Sequence, residues 1–159
     1  MSFQIRKATQ KDMPRVLELI NELAIFEKEP DAVEITVDDL ITGAFQDPKQ
    51  FVCFVAECES NVEGIALVYH RFSTWKGNIL HLEDLIVSQN KRGSGLGTAL
   101  LDAVVTYGDS LKVKRISWEV IDWNEPAIAF YEKKGAHVMR DWDVVQLDEK
   151  GIKNYLANI

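Results

Sequence analysis

Cysteine is scarce in this chain of 159 residues, with Cys53 and Cys58 the only two. They lie five apart in a strand-like stretch, which predicts side chains on opposite faces of a sheet, so no disulfide framework is expected. The three histidines, His70, His81 and His137, are scattered, and neither cysteine belongs to a C-x-x-C pair. No metal-ligand spacing results, and no metal is expected. Long apolar runs are missing too: no stretch approaches the roughly 18 residues of a membrane span. The amino-terminal MSFQIRKATQKD holds no apolar core of signal-peptide length, so the expected location is the cytoplasm, away from membranes. Positive charge is in deficit, with 18 Lys and Arg against 25 Asp and Glu for a net −7. A pI near 5.0 argues against nucleic acid as partner, because phosphate binding needs a basic face. An acidic surface suits small cationic partners instead. Apolar residues are plentiful at 47%. At this length about 70% of the unfolded chain's surface can be buried, enough for one soluble domain over residues 1–159.

The apolar pattern lays out the elements. Ser2 to Ala8 predicts an opening strand, with Thr9 or Asp12 capping the helix that follows. In that helix Met13, Val16, Leu17, Ile20, Leu23 and Ala24 fall at helical spacing, and Pro14 is tolerated in its first turn. From Glu27 to Asp39 six acids face one Lys28, which predicts an acidic loop leading into a second helix near Thr36. FVCFVAE (51–57), VEGIALVYHRF (62–72) and NILHLEDLIV (78–87) predict an antiparallel meander. Leu96, Ala99, Leu100, Ala103, Val104 and Tyr107 give a helix that begins in a glycine-rich loop. RISWEVI (115–121) is the next strand, and Asn124 caps a short helix with Pro126 near its start and Gly135 past its end. HVMRDWDVVQL (137–147) predicts one or two closing strands, and the tail from Asp148 a short helix. The sum is an α/β protein with a mixed, largely antiparallel, twisted sheet flanked by helices on both faces.

Arg92-Gly93-Ser94-Gly95-Leu96-Gly97 runs from the strand ending at Val87 into an amphipathic helix. Alternate glycines let a ligand approach the backbone, and successive N–H groups at a helix N-terminus suit a phosphate or pyrophosphate. The Gly-Lys-Ser/Thr ending of a P-loop is absent, and so is the dinucleotide G-x-G-x-x-G spacing with its distant acid. Nucleoside triphosphates and NAD are therefore disfavoured. Taken alone, such a loop is also compatible with a tight connection that binds nothing.

Its context is more specific. Arg92, Gly95 and Gly97 match the Arg/Gln-x-x-Gly-x-Gly/Ala pyrophosphate pattern of the GNAT superfamily of N-acetyltransferases, which the chain resembles. ELAIFEKEPD (22–31), STWKGNILHLEDLIV (73–87), RGSGLGTALL (92–101) and WEVIDWNEPAIAFYEKKGA (118–136) resemble the subgroup of diamine (spermidine/spermine) and thialysine acetyltransferases. The resemblance implies a GNAT-like fold, acetyl-CoA as cofactor and a homodimer. It lays the pantetheine arm along Leu85, Ile86 and Val87, and the pyrophosphate over Arg92, Gly93, Ser94, Gly95, Leu96, Gly97 and Thr98. Asn124, Glu125, Pro126 and Ala127 then stand against the cofactor, and Tyr131 beside the thioester sulfur.

Acetyl transfer to an amine needs an uncharged nitrogen, a donor for the thioester oxygen and an acid for the departing thiolate. The resemblance assigns the acid to Tyr131, and a backbone N–H between Asp84 and Val87 suits the thioester oxygen. Glu83 is the candidate base, or else an anchor for the substrate. It neighbours Asp84, and strand alternation lets only one of the pair face a given cleft. For the acceptor the resemblance implies Phe26, Glu27, Glu83, Trp118, Glu119, Asp141 and Trp142, carboxylates and aromatic faces of the kind a small organic cation binds. Around Arg140-Asp141-Trp142 the run before the tryptophan is shorter than in the polyamine enzymes and contains a basic residue. That disfavours a long polycation such as spermine and favours a short diamine or lysine-like amine. The expectation is therefore transfer to a small-molecule amine. A protein lysine or N-terminus, or a non-catalytic acyl-CoA sensor, is the alternative.

Overall fold

The computed structural model describes residues 2–159, which form two compact units: a larger one ending at Glu119 and a smaller one over Val120–Ile159. In the larger unit β1 (Phe3–Lys7) is followed by a 3-10 turn and α1 (Met13–Phe26), then α2 (Val37–Phe45). β2 (Val52–Cys58), β3 (Asn61–Ser73) and β4 (Gly77–Val87) form the meander. α3 (Leu96–Ser110) and β5 (Ile116–Ser117) complete the unit. The sheet runs in sequence order, β1 to β5; every pairing is antiparallel except β4–β5, which is parallel.

Local chemistry explains the boundaries. The Arg6 guanidinium grips both Asp12 oxygens, at 2.8 and 3.0 Å, and holds that carboxyl down at about 2. Thr9 starts the 3-10 turn, Asp12 occupies the N-cap of α1, and Pro14 falls in its first turn. Thr36 and Asp39 cap α2 reciprocally, Asp39 N–H donating to Thr36 Oγ1 and Thr36 N–H to Asp39 Oδ2.

Strand alternation splits the buried side chains between two faces. Cys53, Val55, Ile65 and Ile86 join Met13, Val16 and Leu19 of α1 and Leu40 of α2 in one core cluster. On the opposite face Tyr107 of α3 sets its ring edge-on to Phe54, 5.5 Å between centroids, and Leu100 reaches Gly64. Helices thus cover both faces. Leu19, fully buried at this cluster, is a position where truncation to alanine costs about 2–5 kcal/mol.

Two expectations change. RISWEVI is a strand only at Ile116–Ser117. The closing strands over 137–147 are absent from the described residues: the segment forms turns and irregular backbone, with Met139, Trp142, Val144, Val145 and Leu147 exposed. Alternation gives a segment two faces, but a strand forms only against a partner edge, and within the smaller unit none is offered. That unit otherwise holds α4 (Glu125–Lys133) and α5 (Glu149–Leu156), capped by Asn124 and Asp148, which accept from Ala127 N–H at 3.4 Å and Gly151 N–H at 2.6 Å. No helix is long and apolar enough to cross a membrane among the described residues.

Candidate active site

β4 is where the larger unit becomes irregular. Leu67 and Val68 of β3 lie opposite Asp84 and Leu82, so Glu83 is an extra residue without a partner, a β-bulge. The bulge resets the alternation, and Glu83 and Asp84 both line one cleft on the α1–α2 side of the sheet. The expectation that only one of them faces a given cleft is corrected here. The cleft measures about 420 Å³; Ile20, Ile35, Leu40, Phe51 and Leu67 wall it, and Tyr69 stands beside the carboxylates.

Charge is concentrated at that spot. Burial, then the charges of Glu83 and Glu27, push the Asp84 carboxyl up to about 6. Burial also raises Glu27, at the C-cap of α1. Burial first, then the Glu83 carboxylate, raises the Tyr69 phenol. Cys53, 4% exposed in the core beneath, is no nucleophile, because burial and then Asp84 push its thiol up to about 12. Tyr69 and the apolar wall were not singled out from the sequence, because only the bulge and the α2 packing bring them to the carboxylates.

β4 pairs with β5 only at Leu80 with Ile116 and His81 with Ser117. Beyond His81 no described strand pairs with that edge of β4, which leaves backbone groups there for another partner. Leu85 and Val87 are half-buried, whereas Ile86 is committed to the α1 core at 4% exposure.

Past Val87 the chain makes a 3-10 turn and enters the glycine loop. Gly93 and Gly95 take φ of +76° and +90°, left-handed backbone that a side chain would strain, and Gly95 is the N-cap of α3. Ser94 Oγ donates to Lys91 O at 2.5 Å and pins the turn. The first capping bond runs from Ala99 N–H to Gly95 O at 3.0 Å, so the N–H groups of Leu96, Gly97 and Thr98 have no acceptor within the helix. Gly97 has neither positive φ nor crowding, since a Cβ there would meet only Val87 at 3.8 Å. The fold itself does not require this glycine, and a group approaching the backbone would. Arg92 adds a cation, its Nε donating to Val87 O at 3.3 Å and its guanidinium 5.0 Å over the Phe26 ring. Orphan donors, a bare backbone and one guanidinium fit the pyrophosphate of an acyl-CoA.

The remaining expected residues are distributed as follows. Trp118 is half-buried just past β5, and the charge of the exposed Glu119 reaches His81 and Tyr69. In the smaller unit Asn124, Glu125, Pro126 and Ala127 make the first turn of α4, where the Asn124 side chain serves the helix's own N-terminus. Tyr131 is buried on α4, its ring 5.4 Å from that of Phe130. Asp141 and Trp142 are exposed in irregular backbone.

Known proteins resemble this chain in sequence and in fold. The chain is 34% identical over 141 residues to spermidine/spermine N(1)-acetyltransferase-like protein 1 of Homo sapiens, covering 84% of the chain but only 20% of that protein. It is also 34% identical over 140 residues to thialysine N-epsilon-acetyltransferase of Bos taurus, covering 83% of the chain and 82% of the relative. An integron cassette protein from the mobile metagenome of V. cholerae has the same fold, with TM-score 0.79 and 23% identity, covering 100% of this chain and 99% of that one. The model of the acetyltransferase (GNAT) family matches residues 13–136, glycine loop and bulged strand included. An enzyme that transfers acetyl groups to amines follows, and the chain belongs to the GNAT acetyltransferase family.

Proposed function

We propose that the protein moves acetyl from acetyl-CoA to the primary amine of a small cationic metabolite, a short diamine or a lysine-like amine. The observation that carries this reading is the cleft in which Glu83 and Asp84 of β4 and Tyr69 of β3 meet an apolar wall from α1, α2 and β3. Carboxylates beside an aromatic ring and aliphatic side chains suit an alkylammonium ion, whose charge and methylenes need different neighbours. A relative acts on thialysine by name, and others are named for spermidine/spermine and L-ornithine, all of them small amines.

Acetyl-CoA, when bound, supplies an acetyl group activated as a thioester. The N–H groups of Leu96, Gly97 and Thr98, with Arg92, would hold its pyrophosphate, and Leu85, Ile86 and Val87 would offer backbone to its pantetheine arm. A β4 N–H between Asp84 and Val87 would polarise the thioester oxygen. Asp84 and Glu27 attract the ammonium, and Glu83 takes its proton, directly or through water, which frees the nitrogen lone pair for attack. Phe26, Trp118, Glu119, Asp141 and Trp142 contribute to acceptor binding in this reading. In this reading Tyr131 of α4 would supply the proton for the departing sulfur, and Asn124, Glu125, Pro126 and Ala127 would hold the cofactor. One acetyltransferase domain over 1–159, cytoplasmic and homodimeric, completes the reading, and light scattering tests the last point by a mass about twice 18.1 kDa.

The experiment is thiol release from acetyl-CoA with putrescine, spermidine, spermine, thialysine, lysine, ornithine and a histone-like peptide as acceptors. Selective turnover of one small amine is expected, with Tyr131→Phe lowering kcat about 10²-fold while acetyl-CoA still binds. Turnover of the peptide alone shifts the assignment to protein acetylation. No thiol release with any of these acceptors, despite donor binding, points to a sensor.

A further inference from the structure

His70 and His137 are exposed, whereas His81, on β4 two residues before Glu83, is 6% exposed. A buried imidazole needs polar partners, and here both ring nitrogens have one. Nδ1 lies 3.1 Å from Ser117 Oγ, and Nε2 lies 3.6 Å from Oε2 of Glu83. Both neighbouring strands contribute, since His81 is opposite Ser117 in the β4–β5 register and opposite Tyr69 in β3–β4. The Tyr69 ring flanks the imidazole at 5.2 Å between centroids. The charged groups acting on it are Glu83 on its own strand, Arg71 from β3 and Glu119 beyond β5.

Burial outweighs those charges and lowers the imidazole pKa, so the ring is neutral at pH 7 and carries one proton. An ionised carboxylate only accepts, and the serine hydroxyl both donates and accepts. The proton therefore belongs on Nε2, facing Glu83, with Ser117 O–H donating to Nδ1. The 3.6 Å separation is longer than a hydrogen bond, as catalytic contacts often are before substrate draws them together.

We propose that His81 is a positioning residue for acetyl transfer: Ser117 fixes the ring, and Nε2–H holds one oxygen of Glu83 so that the other is turned to the amine. The inference rests on the reading of Glu83 as the group that receives the ammonium proton. His81 keeps its own proton throughout. Its Nε2 faces Oε2 of Glu83 and leaves the other carboxylate oxygen for the amine.

Long-range proton–nitrogen NMR of the full chain reports the tautomer. The Nε2–H form is expected, and a predominant Nδ1–H form overturns the proposal. In kinetics, His81→Phe keeps the ring volume and removes the donor. It is expected to lower kcat about tenfold with little change in the KM for the amine and with acetyl-CoA affinity unchanged. His81→Gln, whose amide nitrogen reaches toward the Nε2 position, restores kcat to within about threefold of wild type. A His81→Phe kcat at the wild-type level, or a Gln variant no better than Phe, overturns the proposal. Should His81→Phe fail to fold, Ser117→Ala is the second variant: a mixture of tautomers is expected, and an unchanged tautomer with an unchanged rate overturns the role of Ser117. A wild-type protein that acetylates no amine removes the proposed function. In that case the tautomer, wild type against Glu83→Gln, still decides whether the ring faces the carboxylate.

Discussion

At the level of single residues, the titration of Asp84 governs the pH response of the cleft. Its carboxyl is raised from the ordinary 3.8 to about 6, by burial first and then by Glu83 and Glu27. Below about 4 it is protonated whether the chain is folded or not, and above about 6 it is ionised in both states. Between these values the folded form binds the proton more tightly, so stability falls as pH rises through the window. Asp84→Asn is therefore expected to melt higher than wild type at pH 8, with the gain gone near pH 4; a variant less stable at pH 8 contradicts the assignment. Activity moves the other way, because protonation removes the charge that attracts the amine. The wild-type KM for the amine rises as pH falls through about 6, and the Asn variant loses that dependence. The sequence makes both acids visible but not their shared cleft, because the alternation rule assumes an unbroken strand and one inserted residue suspends it. His81 was hidden for a similar reason: its partners Tyr69 and Ser117 stand on two other strands.

Among the elements, α3 and its approach were the most legible. A glycine-rich turn followed by Leu96, Leu100 and Val104 at helical spacing encodes both the helix and its donor-rich start within a dozen residues, and α3 begins at Leu96. The segment 137–147 was the least legible, since a strand depends on an edge that its own residues do not specify. Gly97 separates folding from binding. It is the second residue of α3 and has room for a methyl group, and alanine there gains at most the about 0.5–1 kcal/mol it holds over glycine in mid-helix. Gly97→Ala is expected to keep or raise the melting temperature while weakening acetyl-CoA binding about tenfold, checked by calorimetry. Unchanged affinity would mean that the bare backbone at Gly97 serves something other than the cofactor.

For the molecule as a whole, the net charge of −7 bears on encounter rather than on fold. A dicationic amine is drawn toward an acidic protein over about 10 Å at 0.1 M salt, and less far as salt increases. The kcat/KM for putrescine is expected to fall severalfold between low and physiological ionic strength, and more steeply than for a monocationic amine. Equal slopes would place the acceptor's recognition entirely within the cleft. The helix-flanked antiparallel sheet was readable as a whole because its meander and amphipathic helices are each encoded locally. The place where the sheet parts was not, since it depends on where two strands distant in sequence stop pairing. That fork lies at His81 and Ser117, the last paired rung between β4 and β5. The same rung carries the imidazole–hydroxyl contact. Mechanics and chemistry are therefore fastened at one point: a change at Ser117 that lets the fork open earlier also releases the ring behind Glu83, so the width of the opening and the aim of the carboxylate vary together.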